Sequence, residues 1–223
     1  MRKHRTLAII GALVLDGCDC DEEWCHETYD CDEEGCRTVF AQILSDQQAD
    51  GHIRFIPPPP PEGTYTISQA DSTGNLFFGI DSDGTEFRAF LDFPLDGSNG
   101  GDVVPLEAAI VSADIEVFVN KVDLASTVQT LMDLVPFSIT GLTATDFNSV
   151  PIATRTPFNF YESDIGTYVR IDATSLMAET QHQGLPDLQL RLLLDFVPEA
   201  AGLVELDDGV TASTAPLLIV EYR

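Results

Sequence analysis

Three carboxylates grouped around a glycine are the residues whose spacing most clearly suggests chemistry. Asp81, Asp83 and Glu86 belong to the run Asp81-Ser82-Asp83-Gly84-Thr85-Glu86. Calcium is bound by six to eight hard oxygen ligands, and alternating acids around a glycine turn supply several of them. The same residue types are also what a tight turn between two strands requires. The sequence therefore leaves two interpretations open, a structural calcium site and a plain turn.

Residues that could carry catalysis do not form a recognisable pattern. The chain has no G-x-S-x-G motif, and His26 lacks a second histidine four positions later, where Asp30 stands. Glycoside hydrolysis needs two carboxylates at a set separation, and nothing in the sequence selects such a pair. We therefore predict a protein that is not an enzyme and has no catalytic residues. A polysaccharide hydrolase is the less favoured alternative.

The start of the chain has the composition of an export signal. Basic residues in 2–5 precede an apolar run over 7–15. Asp16 and the small residue Gly17 follow this run, directly before Cys18. The run is shorter than the roughly 20 residues that span a bilayer. Residues 1–17 resemble the signal peptide of bacterial lipoproteins, with leucine three positions before the cysteine and glycine one before. The resemblance implies export and a lipid on Cys18; the alternatives are an N-terminal hydrophobic helix and a signal cut elsewhere.

All five cysteines lie within residues 18–36. If Cys18 carries lipid, an even set remains, and outside the cytoplasm such a set in a short segment predicts two disulfides. Their spacing, C-x4-C-x5-C-x4-C, is not the C-x2-C pairing of structural zinc sites. Three connectivities are open, and a metal site and free thiols are the alternatives. The candidate residues are Cys20, Cys25, Cys31 and Cys36.

The charge of the chain excludes some partners. Its 37 acidic and 11 basic residues give a formal net charge of -26. Nucleic-acid affinity comes from cations that neutralise phosphates, so we expect no nucleic-acid partner. A hydrophobic content of 44% argues against a fully disordered chain. The expected partners are a lipid bilayer, reached through acylated Cys18, and a polysaccharide.

Composition divides the remaining chain into three parts. Residues 18–37 are rich in cysteine and acid and have too few apolar residues to form a core, so disulfides would be their only order. Residues 38–63 are predicted to be a spacer, within which 38–44 fits a short strand or a helical turn. The spacer ends in the proline run 57–61, which favours stiff polyproline II. Residues 64–223 are predicted to form the globular domain.

The pattern in 64–223 is that of an all-β domain. Alternating apolar positions, as in 86–93, 110–120 and 188–195, are bounded by Gly, Pro, Asn and Asp. Only 175–183 has a helical pattern, beginning after Thr174, a residue type that caps helices. Repeated crossover helices are absent, so we expect an antiparallel β-sandwich with one short helix, either jelly-roll-like or immunoglobulin-like.

Two of these strands carry candidate ligand-binding residues on the side opposite their apolar stripe. Aromatic rings can stack on sugar faces, while charged groups and amides bond sugar hydroxyls. The favoured interpretation is nevertheless that loops cover this side and make the rings core residues, with ligand binding as the alternative. The candidate residues are Arg88, Phe90 and Asp92 in one strand, and Glu116 and Phe118 in the next.

Three passages, in this order, resemble the DNRLRE-type carbohydrate-binding β-sandwich of bacterial cell-surface proteins. The first is Phe87-Arg-Ala-Phe-Leu-Asp-Phe-Pro-Leu95, an arginine followed by alternating apolar residues and an aspartate. The second is the proline and long strand of 104–117. The third is 166–174 before the helix, with the closing strand 215–222. The resemblance covers 64–223 and implies a jelly-roll sandwich that binds polysaccharide without catalysis.

Together these features predict an exported lipoprotein, anchored at the cell envelope, that displays a non-catalytic polysaccharide-binding domain. The sequence does not select the inner or the outer membrane. The alternative is a structural or protein-interaction module of the envelope that binds no glycan.

Overall fold

The computed structural model describes residues 31–32, 35–59, 62–69, 74–195, 201–209 and 214–223. The predicted signal peptide, Cys18, Cys20 and Cys25 lie outside these ranges. The chain divides after Arg37 into two units. Within the described ranges, no helix has the length and apolar character needed to cross a bilayer.

The described part of the first unit is a short hairpin. Strands β1 (Cys31–Asp32) and β2 (Gly35–Cys36) pair antiparallel, and the register places Cys31 opposite Cys36.

The second unit, Thr38–Arg223, is an antiparallel β domain of twelve strands, with one α-helix among its described residues. This confirms the predicted all-β class with one short helix. In chain order the elements are β3 (Val39–Leu44), β4 (Gly51–Ile56), β5 (Thr64–Gln69), β6 (Asn75–Ile80), β7 (Glu86–Pro94), β8 (Ile110–Asp123), β9 (Thr127–Leu134), β10 (Ala153–Tyr161), β11 (Tyr168–Asp172), α1 (Thr174–Gln183), β12 (Asp187–Leu194), β13 (Gly202–Asp207) and β14 (Leu217–Tyr222).

The strands form one curled sheet with two halves. The first half-sheet has the order β5-β4-β7-β12-β9-β10. The second has the order β6-β13-β8-β14-β3, and β11 pairs with β8 on the edge opposite β14. The halves join where Glu86 and Phe87 of β7 pair with Ile80 and Gly79 of β6. This two-layer arrangement is consistent with the predicted antiparallel sandwich.

The main core lies between the two halves. Alternation in β7 directs Ala89, Leu91 and Phe93 inward, and alternation in β8 does the same for Val117 and Val119. Each of these side chains is at most 1% exposed. Complete burial of a large apolar side chain stabilises the fold by roughly 1.5–3 kcal/mol, so this seam is the main source of stability.

The ends of the predicted apolar stripes are less buried than the pattern suggests. Phe87 is only half-buried and contacts His52 and Phe77, with ring centroids 6.0 and 6.1 Å away. Val111, near the start of β8, is 41% exposed. Both lie where their strand runs beyond the main core.

The predicted spacer is wrong as a description of 38–56. Strand β3 pairs with β14, and β4 pairs with both β5 and β7. The alternating apolar residues of these strands, Ala41, Ile43 and Ile53, are at most 1% exposed. The compact unit therefore begins at Thr38 rather than at Thr64.

The proline run does not separate two modules. It lies in the connection between β4 and β5, which are hydrogen-bonded neighbours with Ile56 opposite Thr64. A connection between adjacent antiparallel strands returns the chain to the same sheet, so this one does not hold two domains apart. Polyproline composition alone does not distinguish these two uses.

The predicted helix is present, but Thr174 is not its cap. The N-cap position is Ala173, and the Thr174 hydroxyl accepts a 3.0 Å hydrogen bond from the backbone N–H of Ala113. Asp172 Oδ1 accepts the Thr174 N–H at 2.9 Å, which satisfies one free donor of the first turn. The helix ends at Gly184, whose φ of 64° suits glycine.

A second, smaller core covers the outer face of the first half-sheet. Segment 135–152, between β9 and β10, packs Phe137, Leu142 and Phe147 against Ile53 and Phe90 of that face. The Phe90 and Phe137 rings meet edge to face, with centroids 5.4 Å apart. This side of the sheet is therefore interior.

Arg191 of β12 fastens this segment. Its guanidinium is 2.6 Å from Asp133 Oδ2 of β9, and the two side chains are 4% and 5% exposed. Its Nη1 donates to the carbonyls of Asp146, Phe147 and Ser149 at 3.0–3.1 Å. One buried cation thus neutralises a buried carboxylate and satisfies three loop carbonyls.

Replacement of Arg191 by methionine is expected to destabilise the domain by roughly 3–5 kcal/mol, because a buried carboxylate loses its partner. The matched control is Arg170→Met, since the Arg170 side chain in its ion pair with Asp114 is 56% exposed. That change should cost less than about 1 kcal/mol. Urea unfolding of both variants measures the difference, and equal losses would contradict the assignment. Adding Asp133→Leu to Arg191→Met should recover part of the stability.

Candidate ligand-binding face

The structure separates the five predicted ligand-binding residues. Arg88, Phe90 and Asp92 lie on the outer side of β7 in the first half-sheet, opposite its inward-facing residues. Glu116 and Phe118 lie on the outer side of β8 in the second half-sheet. Because the two halves share the main core between them, their outer sides face in opposite directions. The five residues therefore do not form one surface.

The β7 candidates are covered by segment 135–152. Phe90 is 0% exposed and Asp92 is 1% exposed. The Arg88 guanidinium lies 4.0 Å from the centroid of the Phe147 ring and forms an ion pair of 2.7 Å with Glu86. Phe90 is therefore a core residue beneath a loop, and Asp92 is buried with it. Arg88 contacts segment 135–152 and helps to hold it in place.

The turn between β6 and β7 contains Asp81 and Asp83, and Glu86 is the first residue of β7. Asp81 Oδ1 accepts the Ser82 N–H at 2.6 Å, and Asp83 Oδ1 accepts the Thr85 N–H at 2.9 Å. The Thr85 hydrogen bonds also lower the pKa of Asp83. Glu86 is paired with Arg88. Each carboxylate thus serves the hairpin itself, which matches the turn interpretation.

The described residues contain no group of three or more His, Cys, Asp or Glu side chains placed to hold a metal ion.

Among the described residues, no segment covers the β8 candidates in the way that 135–152 covers those of β7. Phe118 is half-buried and faces Tyr168 of β11 in the strand register. Their rings meet edge to face with centroids 5.1 Å apart and an interplanar angle of 71°. Tyr168 is 53% exposed. The result is an aromatic ledge on the outer side of the second half-sheet.

Polar groups flank the aromatic pair. Arg170 Nη2 is 3.0 Å from Asp114 Oδ2, and the register also places Arg170 beside Glu116. Asn120 donates from Nδ2 to Asn75 Oδ1 at 3.2 Å, across to β6. We define the open face by its six residues of β8 and β11: Asp114, Glu116, Phe118, Asn120, Tyr168 and Arg170.

The open face places an apolar surface beside hydrogen-bonding groups. Exposed aromatic rings provide an apolar surface with a polar tip on tyrosine. Carboxylate, amide and guanidinium groups supply acceptors and donors at fixed positions around it. The arrangement is a ledge on a sheet, which suits an extended ligand better than a small molecule enclosed in a pocket.

The pairing of Tyr168 with Phe118 is absent from the sequence-based prediction. Alternation indicates a strand at 168–172, but its partner is fifty residues away in β8. A weak signal exists in the strand itself, where Tyr168, Arg170 and Asp172 all fall on the side opposite buried Ile171.

Beneath segment 135–152, the Asp92 carboxyl is in an unusual environment. Burial raises its pKa from 3.8 to about 7, although a hydrogen bond from Gln189 opposes the shift. The Gln189 amide donates to Asp92 Oδ1 at 2.8 Å and to the Phe137 carbonyl at 3.0 Å. This carboxyl thus links β7, β12 and the covering segment.

No protein-family model and no curated protein matches this chain. The resemblances to bacterial lipoproteins and to the DNRLRE-type domain therefore stay predictions.

The raised pKa of Asp92 predicts a stability that increases on acidification. The folded chain binds this proton below about pH 7 and the unfolded chain binds it only below about pH 4, so the gain accrues as pH falls between these values. Between about pH 8 and pH 5, the native chain should gain roughly 1–2 kcal/mol more than the Asp92→Asn variant.

Urea unfolding at several pH values measures this gain. The control is Asp96→Asn, because Asp96 is fully exposed and the hydrogen bonds that its carboxylate accepts from Ser98 lower its pKa. An Asp92→Asn variant with the same pH dependence as the native chain would contradict the assignment.

Proposed function

We propose that this chain is an exported, membrane-anchored lipoprotein whose β domain binds polysaccharide through the open face and catalyses no reaction. The observation that carries the proposal is an aromatic pair on a sheet face, in which exposed Tyr168 packs against half-buried Phe118 and charged and amide side chains flank both. On such a face, the apolar side of a sugar ring can stack on the aromatic rings while the flanking polar side chains hydrogen-bond to the sugar hydroxyls.

The chemistry of the face indicates the class of polysaccharide. The Tyr168 ring offers the larger exposed surface, and the Phe118 ring packs against it edge to face. Glu116 and Asn120 lie on either side of Phe118 along the strand and can accept or donate hydrogen bonds to hydroxyls. With a net charge of -26, the chain favours neutral or cationic glycans over polyanionic ones.

Replacement of Tyr168 by alanine should weaken glycan binding about tenfold or more, equivalent to roughly 1.4 kcal/mol, because the exposed stacking surface is lost. Affinity electrophoresis of the full chain in gels with a soluble β-glucan, xylan or galactomannan measures the change. The control is Tyr161→Ala, since Tyr161 is also a half-exposed tyrosine at 45%, but lies on β10 at the edge of the first half-sheet.

Retardation of the native chain that Tyr168→Ala abolishes and Tyr161→Ala preserves supports the proposal. Equal retardation of all three proteins would place binding elsewhere. If no glycan retards the native chain and crosslinking through the open face captures an envelope protein, the alternative of a protein-interaction module replaces it.

The anchor is proposed from the N-terminal pattern. Change of Cys18 to serine should abolish incorporation of labelled palmitate and release the chain from the membrane fraction, because lipid on one sulfur would be the attachment. The matched control is Cys20→Ser, which leaves the predicted lipidation position intact. Intact mass should show a mature chain that begins at Cys18 and carries acyl groups. A native chain that takes up no palmitate and retains Met1 would overturn the anchor.

A further inference from the structure

Two buried carboxyl groups from different half-sheets lie near one another. Asp50 immediately precedes β4 of the first half-sheet, and Asp208 immediately follows β13 of the second. They are 1% and 4% exposed. The side chains lie close enough for the charge of Asp208 to act directly on Asp50. The turn before β4 contacts the same place, since Gln47 Nε2 donates to the Asp208 carbonyl at 2.8 Å.

Two oxygens at this place have no hydrogen bond of good geometry within the described residues. Asp50 Oδ1 accepts the Asp92 N–H at 2.6 Å, whereas Asp50 Oδ2 has only the Ser45 hydroxyl and the Asp208 carboxyl beside it, without the geometry of a hydrogen bond. The hydroxyl of Ser45, a residue nine-tenths buried, lies beside Asp50 and is likewise without a hydrogen bond of good geometry. A buried polar group without a partner costs free energy, so these oxygens call for a ligand.

No lysine or arginine of the described residues forms an ion pair with Asp50. Burial and the charge of Asp208 together raise the pKa of Asp50 well above the usual range. The charged and titratable groups near it are Asp46 in the preceding turn, Asp92 on β7, Asp208 after β13 and His52 on β4. Three of these four are further acids.

We propose that Asp50, Asp208 and Ser45 bind a calcium ion that joins the two half-sheets at this end of the domain. The two carboxylates and the hydroxyl supply hard oxygens from three separate positions in the chain, and backbone carbonyls and water complete the coordination. Calcium fits better than magnesium, because magnesium retains most of its water and requires near-ideal octahedral geometry, for which a buried site has little room.

This site differs from the turn of Asp81, Asp83 and Glu86, whose carboxylates are occupied by their own hairpin. Its role is structural. The ion ties the end of β13 to the turn before β4, two segments that the hydrogen bond of Gln47 also joins. The inference does not depend on glycan binding, and either can fail without the other.

Thermal unfolding of the full chain in about 1 mM calcium chloride and in about 1 mM EGTA, both at physiological salt, tests the proposal. The native chain should unfold roughly 5 °C or more higher in calcium. Asp50→Asn should lose this rise while still folding, because asparagine keeps an oxygen to accept the Asp92 N–H and removes a buried charge. Asp83→Asn is the matched control and should keep the full rise.

Equilibrium dialysis against calcium provides the second measurement, and Asp50→Asn should bind one equivalent less than Asp83→Asn. No rise in the native chain, or a rise that Asp50→Asn retains, overturns the site. The second result would assign the effect to other acids, including those of residues 18–36, which every variant carries. If calcium does not change the unfolding temperature but acid raises it, and Asp50→Asn removes the effect of acid, Asp50 and Asp208 share a proton. This result also overturns the proposal.

Discussion

The guanidinium of Arg191 lies in the interior of the domain, where one carboxylate and three backbone carbonyls surround it. The position of segment 135–152 depends on this contact, because an unpartnered charge or carbonyl at the same depth would be costly. Arg88 and Gln189 add hydrogen bonds from the same face to the same segment. Three polar side chains of β7 and β12 thus turn one side of a sheet into an interior.

This covering also decides which surface is available for a partner. The outer side of the first half-sheet carries Phe90 and Asp92, whose residue types would suit a ligand, but they are enclosed beneath Phe137 and Phe147. The outer side of the second half-sheet has Phe118, Tyr168 and a polar rim in the open. The glycan-binding proposal rests on this asymmetry between the two sides, more than on the aromatic content of either strand.

The buried acids give the domain a second characteristic. Asp50, Asp92 and Asp187 all have a raised pKa, and burial is the largest cause in each case. In a chain with 37 acids and 11 bases, few cations are available to compensate them. Gln189 serves Asp92, whereas Asp50 is left with a neighbouring carboxyl and a hydroxyl, which is the reason to look for a metal ion there.

The sequence by itself determined the β class, the single short helix and the inward-facing stripes, because alternation and turn composition are local properties of the chain. It also identified Phe118 and Glu116 as outward-facing. It misplaced the start of the domain, since the proline run and the weak alternation of β3 and β4 do not reveal that these strands pair with β14, β5 and β7. Only the tertiary structure decided that Phe90 is covered, that Tyr168 lies beside Phe118 and that Asp50 meets Asp208. Each of these three features depends on contacts between segments that are far apart in the chain. Packing and the exclusion of water set the free energies of such contacts, and neither is a local property of the sequence.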